Sequence, residues 1–304
     1  MVGAMDQDAV RAMAIEWVQQ RSLGGTVPIS RDALANDFYI GDVRFPLIDR
    51  GRGIRKPLGW STALSILTVF PKSGVRPYAD ATGADGLHRY KLRRDQLGTI
   101  ENESMRDAVR LRAPLIWLVG VAPGLFNVVA PVFLIAEEAS EAQFVMALTT
   151  GQLGVDVDSP VESALRRYLF AETKRRLHQP VFASRVMLAY ESRCAVCSLQ
   201  HRELLDAAHI VPDSVAGSLG EPVVANSLAL CKIHHAAYDS NILGIRPDHV
   251  VEIRYQLLDE IDGPMLQHGL QHHHGRQLMK LPAKRTERPD PDRLAFRYRE
   301  FKVA

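Results

Sequence analysis

Residues 194–239 read CAVCSLQHRELLDAAHIVPDSVAGSLGEPVVANSLALCKIHHAAYD. The stretch opens on Cys194-x2-Cys197 and closes on Cys231-x2-His234. The chain has three cysteines, and all of them lie here. Three thiolates and one imidazole make a closed tetrahedral donor set, the set of a structural Zn2+ site. Unrelated buried cysteines and a redox pair are the competing readings. Neither accounts for two matched knuckles that consume every cysteine of the chain.

A second set of residues lies between and just after the knuckles. His209 sits in DAAHIVP, whose apolar flanks predict a short strand. Asn226 precedes the apolar run SLALC. His235 and Asp239 are four apart, so they share one face if HHAAYD starts a helix. A strand His, a loop Asn and a helix His in this order resemble the HNH nuclease family, whose fold is the ββα-metal finger. The resemblance implies that His209 is the general base that activates water and that Asn226 fixes the loop and orients that base. His235 would bind a catalytic divalent metal, Mg2+ or Mn2+, beside the scissile phosphate. Such a metal stabilises charge on the leaving oxygen. An imidazole near its ordinary pKa suits proton abstraction from water. Many family members carry Asp or His immediately before the base, as a metal ligand; here that position is Ala208. Asp206 lies three residues before His209, on the opposite face of an extended strand, and is expected to reach the metal only if the strand bulges. Asp239 occupies the place of a second helical ligand. For His209 taken alone, a satisfied core histidine is the plain reading.

A length of 304 residues suggests two domains. Hydrophobic residues at 46% and charged residues at 24% are those of an ordinary soluble globular chain. The net charge of +2 announces no global field for nucleic acid. The charge is uneven, however. Residues 165–202 hold eight Arg or Lys against two acids, and 271–304 hold nine against four. Both tracts adjoin the nuclease-like stretch, where phosphate contacts would fall, although a solvated helix face explains either tract alone. The first residues are mixed, with Asp6, Asp8 and Arg11 early, and do not read as a signal peptide. Thiols in a metal site fit a reducing compartment, so the expected location is cytoplasmic. The run 113–136 is uncharged and long enough to span a bilayer, but Pro123-Gly124 breaks its middle. Two buried strands joined by a turn are expected there.

Residues 5–22 have helical spacing in Val10, Met13, Ala14 and Trp17, and Gly24-Gly25 ends that helix. A second helix is expected near 31–37. The texture then turns to short β-rich runs: FYIGDVRFPLI, ALSILTVF, HRYKL, LIWLVGV, NVVAPVFLIA and AQFVMAL. One helix, 103–112, lies among them. A small curved sheet or barrel follows. Gly53-Ile54, Ser65-Ile66, Tyr78-Ala-Asp80, Asp85-Gly86 and Tyr90 occur in the order of the SRA pattern, and residues 40–150 resemble an SRA-type domain, the PUA-like fold that grips a modified cytosine. Where SRA domains often continue Tyr-x-Gly, this chain reads Tyr90-Lys91-Leu92-Arg93. The chemistry is coherent by itself. A flipped base needs a pocket that rewards unstacking. Two tyrosines can sandwich its face, and an Asp can accept from the exocyclic amine of cytosine. Tyr78, Asp80 and Tyr90 are the candidate pocket, with Ser65, Thr68 and Trp117 as candidate walls. Half-buried packing for the tyrosines and a turn role for Asp80 are the plain alternatives.

The expected organisation is α+β. An SRA/PUA-like curved sheet fills 1–155, a basic helical linker 156–190, and a zinc-stabilised ββα-metal HNH domain 191–304. Pro180 interrupts or separates the linker helices. The resemblance implies that Arg175, Arg176 and Arg185 face DNA. After Asp239 a hairpin turning near Pro247-Asp248 is expected, then a polar loop at His272–His274, and a basic amphipathic tail packed back on the domain. The combined reading is an endonuclease that flips and reads a modified cytosine, most simply 5-methylcytosine, in double-stranded DNA. The resemblance implies restriction of foreign DNA. One ββα-metal finger carries one active site, so a double-strand break implies a homodimer or larger assembly. A methylated-DNA-binding protein without cleavage, favoured by Ala208, and an HNH nuclease without modification preference are the alternatives. A pure protein-interaction role leaves His209, Asn226 and His235 unexplained.

Overall fold

In the first helix, α1 (Gln7–Arg21), Asp6 accepts from the backbone of Asp8 at the N-terminus. Its buried face is Val10, Arg11, Ala14 and Val18. The computed structural model that gives this helix describes residues 6–49, 51–70, 83, 85–92, 99–153, 163–215 and 217–304. The chain divides into two compact units, Met1–Val181 and Phe182–Ala304. That division falls inside the segment 156–190.

In the first unit α1 is followed by β1 (Ile29–Ser30), α2 (Arg31–Asn36), a two-residue hairpin β2 (Tyr39–Ile40) and β3 (Val43–Arg44), β4 (Ile54–Arg55), β5 (Ser65–Thr68) and β6 (His88–Lys91). Then come α3 (Ile100–Leu111), β7 (Leu115–Ala122), β8 (Leu125–Glu138) and β9 (Gln143–Ala147). Six strands run in the order β4-β5-β7-β8-β9-β6, and β1 adds to β8. β5 and β7 are parallel; the other pairs are antiparallel. Register shifts interrupt β7–β8 and β8–β9, and such irregularities increase twist, which curls the long β8 into a half-barrel. The run FYIGDVRFPLI forms only the small β2–β3 hairpin, outside the main sheet.

The uncharged run 113–136 is a hairpin, with Gly124 at the turn in a left-handed conformation, φ +73°. It is uncharged because β7 is covered on both faces. Leu115, Trp117 and Val119 join the core beneath α3, while Ile116 and Leu118 join the core beneath α1 and α2. Arg11 ties α1 to this sheet. Its guanidinium donates to the carbonyls of Ala63 and Pro114, both at 2.8 Å, and to Thr62. Burial lowers its pKa to about 10. No described helix is long and apolar enough to cross a membrane.

A helical run crosses from the first unit to the second: α4 (Ser163–Thr173), a π-helical turn (Lys174–His178) and α5 (Gln179–Ala189). Pro180 therefore does not separate two helices. It has no N–H to donate, and the wider turn just before it absorbs the mismatch without ending the helix.

The second unit holds β10 (Leu205–His209), β11 (Ser227–Cys231), α6 (Lys232–Asp239), β12 (Leu243–Ile245), β13 (Val251–Ile253), α7 (Pro264–Gly269) and α8 (Pro291–Val303). β10 and β11 pair antiparallel without a register shift, Leu205 opposite Cys231 and His209 opposite Ser227. β12 and β13 form the hairpin expected after Asp239. The tail helix α8 packs on this unit. Leu294 is fully buried, and Arg297 donates to the carbonyl of Tyr238 at 2.6 Å. The molecule is thus α+β, with a curled sheet in one unit and a ββα finger in the other.

Candidate functional site

The cysteine knuckles converge. Cys194, Cys197, Cys231 and His234 place one ligand atom each within 4.8 Å of one another. Nδ1 of His234 is 3.4 Å from Cys194 Sγ and 3.1 Å from Cys231 Sγ. Tetrahedral zinc with ordinary bond lengths needs S···N separations of about 3.6 Å, so a small adjustment around an ion suffices. His234 Nε2 donates to the Gly269 carbonyl at 2.7 Å, which turns Nδ1 toward the thiols. Contacts with Cys194 and then Cys197 push the Cys231 thiol toward thiolate. Desolvation opposes protonation of His234, yet Cys197 and Cys231 raise its pKa to about 10. The set is therefore a thiolate–imidazolium cluster in which a cation can replace the proton. Sequence reasoning missed the Gly269 carbonyl, 35 residues downstream of its partner. The histidine run is not a polar loop. Gln271–His273 form a helical turn, the His273 ring sits edge-on to His234 at 5.2 Å, and His274 Nδ1 accepts from the Ile253 N–H at 3.1 Å.

The cysteine–histidine frame holds the start of α6, and α6 places His235 against the strand pair. His235 Nδ1 lies 3.2 Å from Asp206 Oδ2. A carboxylate only accepts, so the imidazole is the donor and its Nδ1 carries the proton. Nε2 faces Asp239 Oδ2 at 3.3 Å. Lys232 holds the other oxygen of Asp206 at 2.5 Å. Partial desolvation, the largest influence, opposes the charge on Asp206, but hydrogen bonds from Lys232 and His235 outweigh it and hold its pKa below the usual value. Asp206 forms this contact with no bulge in its strand. The β10–β11 ladder is regular, and Asp206 meets His235 because α6 follows β11 directly and passes the face of β10 on which Asp206 stands. Ala208 is fully buried on that same face, in the apolar core.

His209 ends β10, with its ring stacked on Phe182, centroids 4.4 Å apart and planes at 14°. Asn226 is fully buried and pins the chain immediately beyond His209. Its Oδ1 accepts from Val211 N–H at 2.9 Å, and its Nδ2 donates to the carbonyls of Val211 and Glu221 at 3.0 and 3.1 Å.

In the first unit, Thr68, Tyr90 and Trp117 line a cavity of about 550 Å³ together with Gly53, Ile54, His88 and Asn102. Trp117 Nε1 donates to Thr68 Oγ1 at 2.9 Å. The Tyr90 hydroxyl lies 3.4 and 3.3 Å from the Gly53 and Leu67 carbonyls. Ser65 does not line the cavity; its hydroxyl is buried and donates to the Leu47 carbonyl at 2.6 Å. Tyr78 and Asp80 lie outside the described residues. Sequence reasoning missed His88 and Asn102, which no motif marks. Arg175 is exposed and paired with Glu172 on its own helix at 2.9 Å. Arg176 lines a second hollow with Gln19, Gln20 and Gly25. Arg185 is half-buried in α5.

The family model for HNH endonucleases matches residues 194–246. That span takes in both knuckles, the β10–β11 pair and α6. No curated protein matches the chain. Among solved structures, one titled as a modification-dependent TagI restriction endonuclease is 18% identical, over 81% of this chain and 84% of that one, with a TM-score of 0.29. A likeness at that level carries no argument. The matched domain, with its strand pair, helix and cysteine frame in place, makes this protein an HNH-type DNA endonuclease.

Proposed function

We propose that the protein cleaves DNA in response to a modified cytosine, with the first unit reading the base and the second hydrolysing the phosphodiester. The observation that carries the hydrolytic half is the array Asp206–His235–Asp239 beside the strand that ends in His209. His235 Nε2 and the Asp239 carboxylate would hold a divalent cation, Mg2+ or Mn2+, since their 3.3 Å separation suits two neighbouring ligands of one small ion. Such an ion supplies charge neutralisation at the scissile phosphate and the leaving oxygen. Asp206 acts as a positioning residue: it keeps the proton on Nδ1 and so presents the Nε2 lone pair. His209 takes a proton from the attacking water, its ring fixed by Phe182 and its strand end by Asn226. Cys194, Cys197, Cys231 and His234 hold a structural Zn2+ that frames the finger.

The base-reading half is supported by the cavity in the curled sheet, whose aromatic and polar walls suit a flipped nucleobase in an SRA-type manner. Its lining also includes Arg31 and Arg52, the latter paired with Glu101, and such cations suit flanking phosphates. A second reading, a modified-DNA binder with weak cleavage, is favoured by Ala208, an apolar core residue where a metal ligand is usual.

Matched duplexes carrying cytosine, 5-methylcytosine or 5-hydroxymethylcytosine, incubated with Mg2+ or Mn2+, test the proposal. Cutting restricted to modified duplexes, and abolished by His209→Ala, is expected. Retention of modified DNA without cutting selects the binder. Equal cutting of all three removes the base-reading half.

A further inference from the structure

The cavity of the first unit has a buried polar group in its wall that no described residue satisfies. Trp117 and Thr68 bond to each other, and the Tyr90 hydroxyl lies against two backbone carbonyls. His88 differs. It lines the cavity, is only 2% exposed, and has its ring over Trp117 at 4.7 Å. Its Nδ1 is buried and has no hydrogen-bond partner among the described residues. Leaving such a nitrogen dry and unpaired costs free energy, so a ligand that satisfies it gains relative to one that does not.

Burial first, and then the nearby charges of His178 and Arg89, push the His88 pKa down to about 3. The ring is therefore neutral at ordinary pH, with one N–H and one lone pair. A hydroxyl can donate to the lone pair or accept from the N–H, so it matches Nδ1 in either tautomer. A methyl matches neither.

We propose that His88 is a specificity-determining residue of this cavity, hydrogen-bonding a hydroxyl carried by the bound base, so that 5-hydroxymethylcytosine is selected over 5-methylcytosine. The proposal rests on the base-binding reading given above. It assigns the polar contact to β6, on the strand next to β9, and not to a cysteine, carboxylate or arginine. The apolar part of the base would lie against Trp117 and Tyr90.

The experiment uses the full chain with Ca2+ in place of Mg2+, so that binding is read without cutting and without a chelator that would strip zinc. Fluorescence anisotropy is measured on duplexes with one central cytosine, 5-methylcytosine or 5-hydroxymethylcytosine. The wild type is expected to bind the hydroxymethylated duplex about tenfold more tightly than the methylated one, the value of one good hydrogen bond. His88→Leu, close in volume and without a polar atom, is expected to bind the two modified duplexes alike. The wild-type comparison stands by itself if the variant does not fold. Equal wild-type affinity for both modified duplexes, above cytosine, overturns the His88 proposal and leaves the base-binding reading intact. A folded His88→Leu that loses both modified duplexes equally also overturns it, because His88 would then read an edge common to both bases. Equal binding of all three duplexes by the wild type defeats the base-binding reading, and the His88 proposal with it.

Discussion

Asn226 shows how one side chain can set the end of a strand. It is fully buried, and its amide satisfies three backbone groups, one N–H and two carbonyls. Asn226→Ala strips all three, and each orphaned buried group costs about 1–3 kcal/mol, so the second unit should lose about 3 kcal/mol or more in urea denaturation. Asn226→Asp keeps the Val211 N–H contact and should lose less. His88 makes the matching prediction for pH. Its folded pKa, about 3, lies below the unfolded value near 6.5. Between those values the unfolded chain takes up a proton that the folded chain refuses. Its unfavourable contribution is absent above about pH 6.5 and grows as pH falls, reaching about 2 kcal/mol by pH 5. Urea titrations of the wild type from pH 7 to 5 should show that loss, and His88→Leu should lack it. The pairing of the knuckles was legible in the sequence because zinc ligands obey a short-range spacing. The Asp206–His235 contact was not, since it depends on the β10–β11 register and on the direction in which α6 leaves β11. Lys232, one helical turn before His235, was the available clue that this helix face also carries charge toward Asp206.

At the scale of elements, the finger depends on a frame and on a buttress. The frame is the cysteine–histidine set proposed to hold zinc. Cys231→Ser should drop bound zinc from one per chain to well below one by atomic emission, and it should lower the thermal midpoint of the second unit, because the free energy of binding a structural metal is also folding free energy. The buttress is α8 against β12. A Cβ at Gly244 would lie 2.5 Å from the Phe301 ring, so Gly244→Ala must shift α8. Overpacking of this kind costs about 1–3 kcal/mol, and Gly244→Ala should show it in denaturation while bound zinc stays at wild-type level. Strand periodicity and turn residues made β5 to β9 readable as a curved sheet. They misled at FYIGDVRFPLI, whose aromatic and β-branched residues carry strand propensity, while only Tyr39–Arg44 pair and Phe38 and Leu47 go into the core beside α1 and α2. Pro180 misled in the other direction, because a π-turn is invisible to a rule that reads proline as a break.

For the molecule as a whole, the account assigns two chemistries to two units. The first unit offers a cavity of about 550 Å³ with a neutral histidine in its wall. The second offers a carboxylate–imidazole–carboxylate array framed by thiols. One finger cuts one strand, so double-strand cleavage should rise more steeply than linearly with protein concentration if two copies must meet on DNA. The central claim is that cleavage comes from His209 and His235, separately from the zinc frame. Single-turnover nicking of a modified duplex with Mn2+ tests it most directly, comparing the wild type with His209→Ala and His235→Ala. The account predicts that both variants retain zinc and bind the duplex normally, while their nicking rates fall at least about a hundredfold. Wild-type rates in either variant, with zinc and binding intact, would contradict it.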